Sequence, residues 1–411
     1  MAVDKEIIMK RLILLLPAVL LVVCVSVVQA DTIHVPADYE LIQVAIYFSE
    51  DGDTVLVADG IYRGEYNRDI DFIGKAIVVM SENGPLNCVI DCEGIGRGFV
   101  IYNGEDSNSV IQGFTITNGN ASIGGGIYCD YHSSSTIIVN TIFGNEVNPP
   151  WGGGIFCSQS SSPTITGNTI SGNSATWGGG IYCSSSSPTI ENNTITLNNA
   201  YQGGGIYCNN SSPTITNTIL WNDSPEEIYV AGSGTPVVTY SNIQGSWQGE
   251  GNIYEDPMFL QPDTLLYTDY RLLWGSPCID IGDPTLFDPD GTRSDMGAYY
   301  FNQNDYLTLY LTPDVTEMLP GDELGVTYTA INRWDSSEAF WLLSQVLLSG
   351  GSWLNILGPD QYTLPANYTA QVHFTHPVPN ITPIGMYEYR SLIGVPPGTL
   401  YDGDSFKFQV Y

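Results

Sequence analysis

The chain has 411 residues and a formal net charge of −32, with 12 Lys plus Arg against 44 Asp plus Glu. Such acidity excludes partners held by basic patches, nucleic acid and anionic lipid surfaces among them, and a hydrophobic content of 43% excludes a disordered chain. The length demands a repeat array or more than one domain, and 44 Gly favour strands and turns over helices.

Met9-Lys10-Arg11 is followed by an apolar run from Leu12 to Val28, and Val28-Gln29-Ala30 offers small residues at a cleavage position. This is the pattern of a signal peptide over residues 1–30, so the protein is expected to be secreted or displayed at the cell surface, with no stable membrane span after cleavage.

From Asp31 onward, Ile33-His34-Val35-Pro36 reads as a strand. Asp38 is placed to cap a helix running to Phe48, with Leu41, Ile42, Ala45 and Ile46 on one face. Asp51-Gly52-Asp53 makes a turn, Thr54 to Val57 is the next strand, and Gly60-Ile61-Tyr62-Arg63 follows. Short strands continue at 76–80, 88–92, 99–102 and 110–116. Residues 31–63 resemble the N-terminal cap of the pectin-lyase-like β-helix superfamily. That resemblance implies an amphipathic helix plugging the open end of a solenoid.

The centre of the chain repeats one phrase. Gly124-Gly125-Gly126-Ile127-Tyr128-Cys129 recurs at Gly152–Cys157, Gly178–Cys183 and Gly203–Cys208, with Phe156 in place of Tyr. Intervals of 25 to 28 residues mark a solenoid in which each repeat buries its apolar side against the next. Three short strands per coil fit a right-handed parallel β-helix. Strand parity sends Ile127, Cys129 and their equivalents inward and the aromatic between them outward, over glycines that would leave an open floor. The cysteines are expected to form a reduced internal ladder, since in-register side chains stack better than they bridge. Two asparagine rows are expected to bond from coil to coil: Asn140, Asn168, Asn193 and Asn217, and Asn145, Asn173, Asn198 and Asn222. The array is similar to the right-handed β-helix repeat proteins exported by bacteria.

Residues 223–302 close the solenoid. The runs Asp256-Pro257-Met258-Phe259, Ser276-Pro277-Cys278-Ile279-Asp280 and Asp295-Met296-Gly297-Ala298-Tyr299 are similar to the segment that often ends those proteins. After residue 302 the alternation in 307–311, 325–330, 369–374 and 405–410 changes the pattern. It suits a β-sandwich of about seven strands, immunoglobulin-like in general form. The expected chain is therefore all-β: a signal peptide (1–30), a right-handed parallel β-helix with an N-terminal capping helix (31–302) and a small β-sandwich (303–411).

Chemistry is sparse. The fold resemblance implies polysaccharide lyases, hydrolases and esterases as analogies, but residues 123–222 contain no Lys or Arg, and Asp130, Glu146 and Glu191 are their only acids. No catalytic motif of those enzymes is matched and no catalytic residue is assigned. Arg63, Arg68 and Arg97 with Asp69 and Asp71 read as surface charges or an unorthodox site. Tyr128, Phe156, Tyr182 and Tyr207, with Trp151 and Trp177 just before two of the glycine runs, are the candidate ligand-binding row. Their rings would suit polysaccharide or a cell-surface glycan, or would simply cover one another. Asp288, Asp290 and Asp295 around Gly291 are candidate calcium ligands, or an Asx-rich turn beside Arg293. The leading expectation is a non-catalytic binding protein, and the alternative is a polysaccharide-active enzyme.

Overall fold

In a computed structural model of the protein, residues 30–147, 151–261, 269–272, 276–302, 307–348, 352–395 and 399–411 are described. The predicted signal peptide lies outside them but for Ala30. The coils contribute strands to three parallel sheets. One has nine strands, from Thr32–Val35 to Val237–Thr239. A second has seven, from Ile70–Asp71 to Ile228–Ala231, and a third has eight, from Gly60–Tyr62 to Asn242–Ile243. Register is kept residue for residue: Ile127, Tyr128 and Cys129 stand opposite Ile155, Phe156 and Cys157, and these opposite Ile181, Tyr182 and Cys183. The result is the expected right-handed parallel β-helix.

The core is a set of ladders. Ile127, Ile155, Ile181 and Ile206 form one, and Cys129, Cys157, Cys183 and Cys208 another, all fully buried. Every cysteine from Cys88 to Cys278 is buried and unpaired. Burial pushes the thiols of Cys88, Cys92 and Cys278 up to about 12. That of Cys157 rises too, through contact with Cys129 and Cys183. These are inert structural thiols.

The glycine runs are not an open floor: all three glycines of each phrase are buried. A Cβ on Gly153 would stand 2.5 Å from the carbonyl oxygen of Gly179 and 2.9 Å from the nitrogen of Ser174. On Gly154 it would stand 2.6 Å from the oxygen of Gly180. Backbone packs on backbone here, and no side chain fits. Only the first glycine of each run also has a left-handed φ, from 63° to 67°.

The capping helix α1 spans Ile42–Phe48 and buries Ile42, Ala45 and Ile46. Asp38 does not cap it. The Asp38 carboxylate accepts the amide of His34 at 2.7 Å and so closes the turn after the first strand. The helix start is capped from a later coil: Asn67 Oδ1 accepts the amide of Ile42 at 3.0 Å, and the Tyr66 carbonyl accepts that of Gln43 at 3.0 Å. Sequence proximity favoured Asp38, and tertiary packing supplied Asn67 instead.

Both asparagine rows exist, but their last members differ from the expected ones. Asn145 donates its side-chain amide to Asn173 Oδ1 at 3.0 Å and Asn173 to Asn198 Oδ1 at 3.0 Å. Asn198 donates to Asp223 Oδ1 at 2.9 Å, not to Asn222. In the other row, Asn193 is followed by Thr218, whose Oγ1 accepts the Asn193 amide at 3.4 Å. Asn217 instead bonds the closing segment, donating to Ser294 Oγ at 3.0 Å and accepting the Asp283 amide at 2.6 Å. The coil length of 25 residues decides the rows, not the residue type.

The closing segment does more than cover an end. It doubles back along the eight-stranded sheet: the Gly297 amide meets the Asn217 carbonyl at 2.7 Å, the Ala298 amide meets Thr194 Oγ1 at 3.0 Å, and the Tyr299 hydroxyl reaches Thr169 Oγ1 at 3.3 Å. Phe259, Tyr270, Cys278, Met296 and Phe301 build a small core of their own against Ile219. Beyond it lies the β-sandwich. One sheet orders Leu307–Pro313, Glu323–Asn332 and Tyr368–Pro377. The other orders Glu317–Met318, Thr399–Val410, Gly385–Val395, Glu338–Leu347 and Trp353–Leu364. Leu309, Leu311, Val326, Tyr389 and Phe406 fill the space between them. No helix of the described residues is long and apolar enough to cross a membrane.

Candidate functional site

The aromatic row lies on the outer side of the seven-stranded sheet as a continuous stack. Tyr128 and Phe156 have ring centroids 5.5 Å apart, Phe156 and Tyr182 5.4 Å, and Tyr182 and Tyr207 5.0 Å, with planes within 9° of parallel. Tyr229 adds a fifth ring at 5.1 Å, a residue that the repeat phrase missed because its coil reads Glu226-Glu227-Ile228-Tyr229. The separations follow the spacing of parallel strands. Trp151 and Trp177 form a second, shorter stack at 6.3 Å, and Trp151 leans on Tyr182.

This geometry changes what the row can offer. Phe156 and Tyr182 are only 6% exposed. Each inner ring spends both faces on its neighbours, so solvent meets ring edges and hydroxyls. A sugar ring stacked face-on against an inner ring has no place to go. The end by Tyr128 is also covered: the Arg97 guanidinium lies 5.0 Å from the ring centre. What remains open is a strip of edges and tyrosine hydroxyls, flanked by the half-buried indoles of Trp151 and Trp177.

Asp130 and Arg97, beside the strip, are both engaged. Asp130 is buried and accepts Ser158 Oγ at 2.5 Å, the Tyr128 hydroxyl at 2.6 Å and Gln159 Nε2 at 3.0 Å. Burial, and then the bond to Asp130, push the Tyr128 hydroxyl well above its ordinary value. Arg97 is bound to Asp69 at 3.2 Å and to the Ile123 carbonyl at 2.8 Å. Arg63 pairs with Asp91 at 2.8 Å and Arg68 with Glu93 at 3.0 Å. These arginines knit successive coils, each paired with an acid about one coil away.

The three aspartates near Gly291 each serve the local chain. Asp295 is buried, with one oxygen accepting the Asp280 amide at 2.7 Å and the other the Phe301 amide at 2.6 Å. Asp288 accepts the Asp295 amide at 2.8 Å, and Asp290 accepts the Thr292 amide and hydroxyl at 3.0 and 2.7 Å. Arg293 turns away to the Gly282 carbonyl at 2.6 Å. Among the described residues, no three His, Cys, Asp or Glu side chains gather as a metal-holding group. Desolvation pushes the Asp295 carboxyl up to about 7, with further upward pressure from Asp288 and Asp280.

One cluster was invisible in the motifs. Asp223 takes the place of Asn198 one coil on, and Glu227 stands where Gly205 stands. Both are buried, and both line a cleft of about 440 Å³ with Glu226, Gln244, Trp247 and Tyr254. Desolvation and mutual repulsion push Glu227 strongly up, and desolvation pushes Asp223 up. The signal was present in the spacing: counting 25 residues from Asn198 finds an acid, and aligning Ile228 with Ile206 sets Glu227 against a glycine.

No curated protein sequence matches the chain. Solved structures with partial similarity include Spo0M, a sporulation control protein from Bacillus subtilis, at 14% identity over 26% of this chain and 49% of that one, with a TM-score of 0.21. The alkylpurine DNA glycosylase AlkC from Pseudomonas fluorescens aligns at 11% identity over 27% and 32%, with a TM-score of 0.22. A β-glucosidase from Listeria innocua aligns at 17% over 26% and 16%, with a TM-score of 0.20. The chain spans half or less of the length of each. Residues 66–220 match the family model described as "Right handed beta helix region". With three parallel sheets in register through that stretch, this part of the chain is a right-handed parallel β-helix.

Proposed function

We propose that the protein is exported and works as a non-catalytic binding scaffold, its β-helix presenting a long surface to polysaccharide or to a cell-surface glycan. One observation carries the non-catalytic part. The acid beside the aromatic strip, Asp130, already accepts three donors, and the Arg97 guanidinium at the end of the row, a fixed cation, is held by Asp69 and Ile123. General acid–base catalysis needs a group free to exchange a proton with substrate. The strip offers tyrosine hydroxyls, indole edges and amides instead, groups that bond sugar hydroxyls laterally. The enzyme reading draws on Asp223 and Glu227. Their carboxyls are in hydrogen-bond contact with each other, whereas two-carboxylate glycosidases hold theirs roughly 5 to 9.5 Å apart to admit the bond being cut.

The test is a glycan array run with a parallel reducing-end and unsaturated-product assay on neutral and uronic-acid polymers. Binding without product release is the expected result. Product release overturns the non-catalytic reading, and an array with no bound glycan overturns the binding one.

A further inference from the structure

The end of the regular stack breaks the rules that the rest of it obeys. In coil after coil, one inner position holds an asparagine whose side chain accepts from the coil before and donates to the coil after. A second position holds a glycine because the next backbone lies where its Cβ would be. In the seven-stranded sheet, Ile228–Ala231 is the terminal strand. No strand of the described residues stacks beyond it, so a side chain fits at the glycine position, and the residue found there is Glu227. At the asparagine position the residue is Asp223.

Asp223 needs only one of its oxygens for the ladder. Its Oδ1 accepts the Asn198 amide at 2.7 Å and the Asn198 side chain at 2.9 Å, which an asparagine oxygen would do as well. Glu227 likewise uses one oxygen, Oε1, to accept the Asp223 amide at 3.2 Å. The other two, Asp223 Oδ2 and Glu227 Oε2, are buried and accept from no N–H or O–H of any other residue; the two carboxyls meet only each other. Asp223 is 7% exposed and Glu227 5%, and neither forms an ion pair. An anionic oxygen buried without a donor is costly. Two of them, on residues that line one cleft, call for a positive species between them. A single proton would cancel one of the two charges. A divalent ion would cancel both.

We propose that Asp223 and Glu227 form a binding site for a hard divalent cation, of the Ca²⁺ or Mg²⁺ kind, at the C-terminal end of the β-helix stack. Carboxylate oxygens are the ligands such ions prefer, and an ion held by two carboxylates completes its shell with water. The cleft of about 440 Å³ holds that water, and Glu226 on its wall adds negative charge. Glu226 itself is anchored, its Oε1 accepting the Gly203 amide at 2.8 Å. The ion ties together two residues four apart in the terminal coil, and Asp223 joins that coil to the one before it through its bonds to Asn198.

The experiment uses the full chain, stripped with EDTA and titrated with CaCl₂ and with MgCl₂, read by calorimetric binding and by thermal unfolding. One ion should bind saturably and raise Tm. Asp223→Asn, which puts the ladder residue back, and Glu227→Gln should each remove that binding and the Tm rise while remaining folded in EDTA. Asp290→Asn, in the separate aspartate loop, should leave both intact. Saturable binding unchanged in Asp223→Asn, loss of binding in Asp290→Asn, or no saturable binding by the wild type overturns the proposal. So does a Tm that responds to acidification and not to either ion, which assigns the pair a proton.

Discussion

Tyr182 lies flat against Tyr207, with ring centroids 5.0 Å apart and planes 9° from parallel, and on its other face it meets Phe156 at 5.4 Å. A ring so enclosed is part of the packing. Tyr182→Ala is expected to destabilise the solenoid by about 3 kcal/mol, in the range for a buried aromatic truncation. Chemical denaturation checks this. Tyr207→Ala removes a half-buried ring and should cost less. Equal and negligible losses would show that the column is a free surface after all.

The glycine runs make a sharper prediction. Gly153→Ala sets a methyl group 2.5 Å from the Gly179 oxygen with backbone on every side, so neighbouring coils must part. A loss above about 2 kcal/mol is expected, as for overpacked cores. Gly104→Ala is the control. It has a left-handed φ of 79° but nothing within 4 Å of the new methyl, and should cost only about 1 kcal/mol of backbone strain. Melting temperatures of the two variants should differ clearly.

Cys183→Ser places a hydroxyl in the fully buried thiol ladder, with Cys157 as a neighbour. A loss of about 1–3 kcal/mol is expected from an unsatisfied buried polar group. Native protein should resist iodoacetamide at the seven described cysteines and react at them once unfolded, which mass spectrometry reads directly.

Asp295 sets a pH dependence. Its carboxyl is pushed up to about 7 in the fold by burial, whereas an unfolded aspartate titrates near 4. The folded state therefore binds the proton more tightly. Its stabilising effect is complete below about pH 4 and is lost as pH rises through about 7, at up to about 1.4 kcal/mol per pH unit. Denaturation midpoints at pH 5 and pH 8 should fall by more in the wild type than in Asp295→Asn. An identical fall in both would remove Asp295 as the source.

Much of the fold was legible because a solenoid writes its period into the chain. GGGIYC fixed the register of Ile127 on Ile155 and Cys129 on Cys157, and strand parity separated core from surface. The helix over Ile42–Phe48 was legible too, from its apolar face. Its cap was not, because Asn67 arrives from a later coil. Asn217 and Asn222 looked like ladder members because residue type is visible in a sequence and coil geometry is not. The aromatic row could be listed from the phrase, but whether its rings show faces or edges depends on the angle between strands and on what Arg97 does at the end of the row.

The sequence by itself determined the repeat, the identity of the core rungs and the absence of Lys and Arg from residues 123–222, since each is a matter of composition and spacing. Tertiary structure alone decided that the glycines are buried under the next coil. It also decided that the tyrosines cover one another and that Asp223 and Glu227 share a cleft where the stack ends. These depend on distances between residues about 25 positions apart, which a linear pattern constrains only up to the coil where the pattern stops.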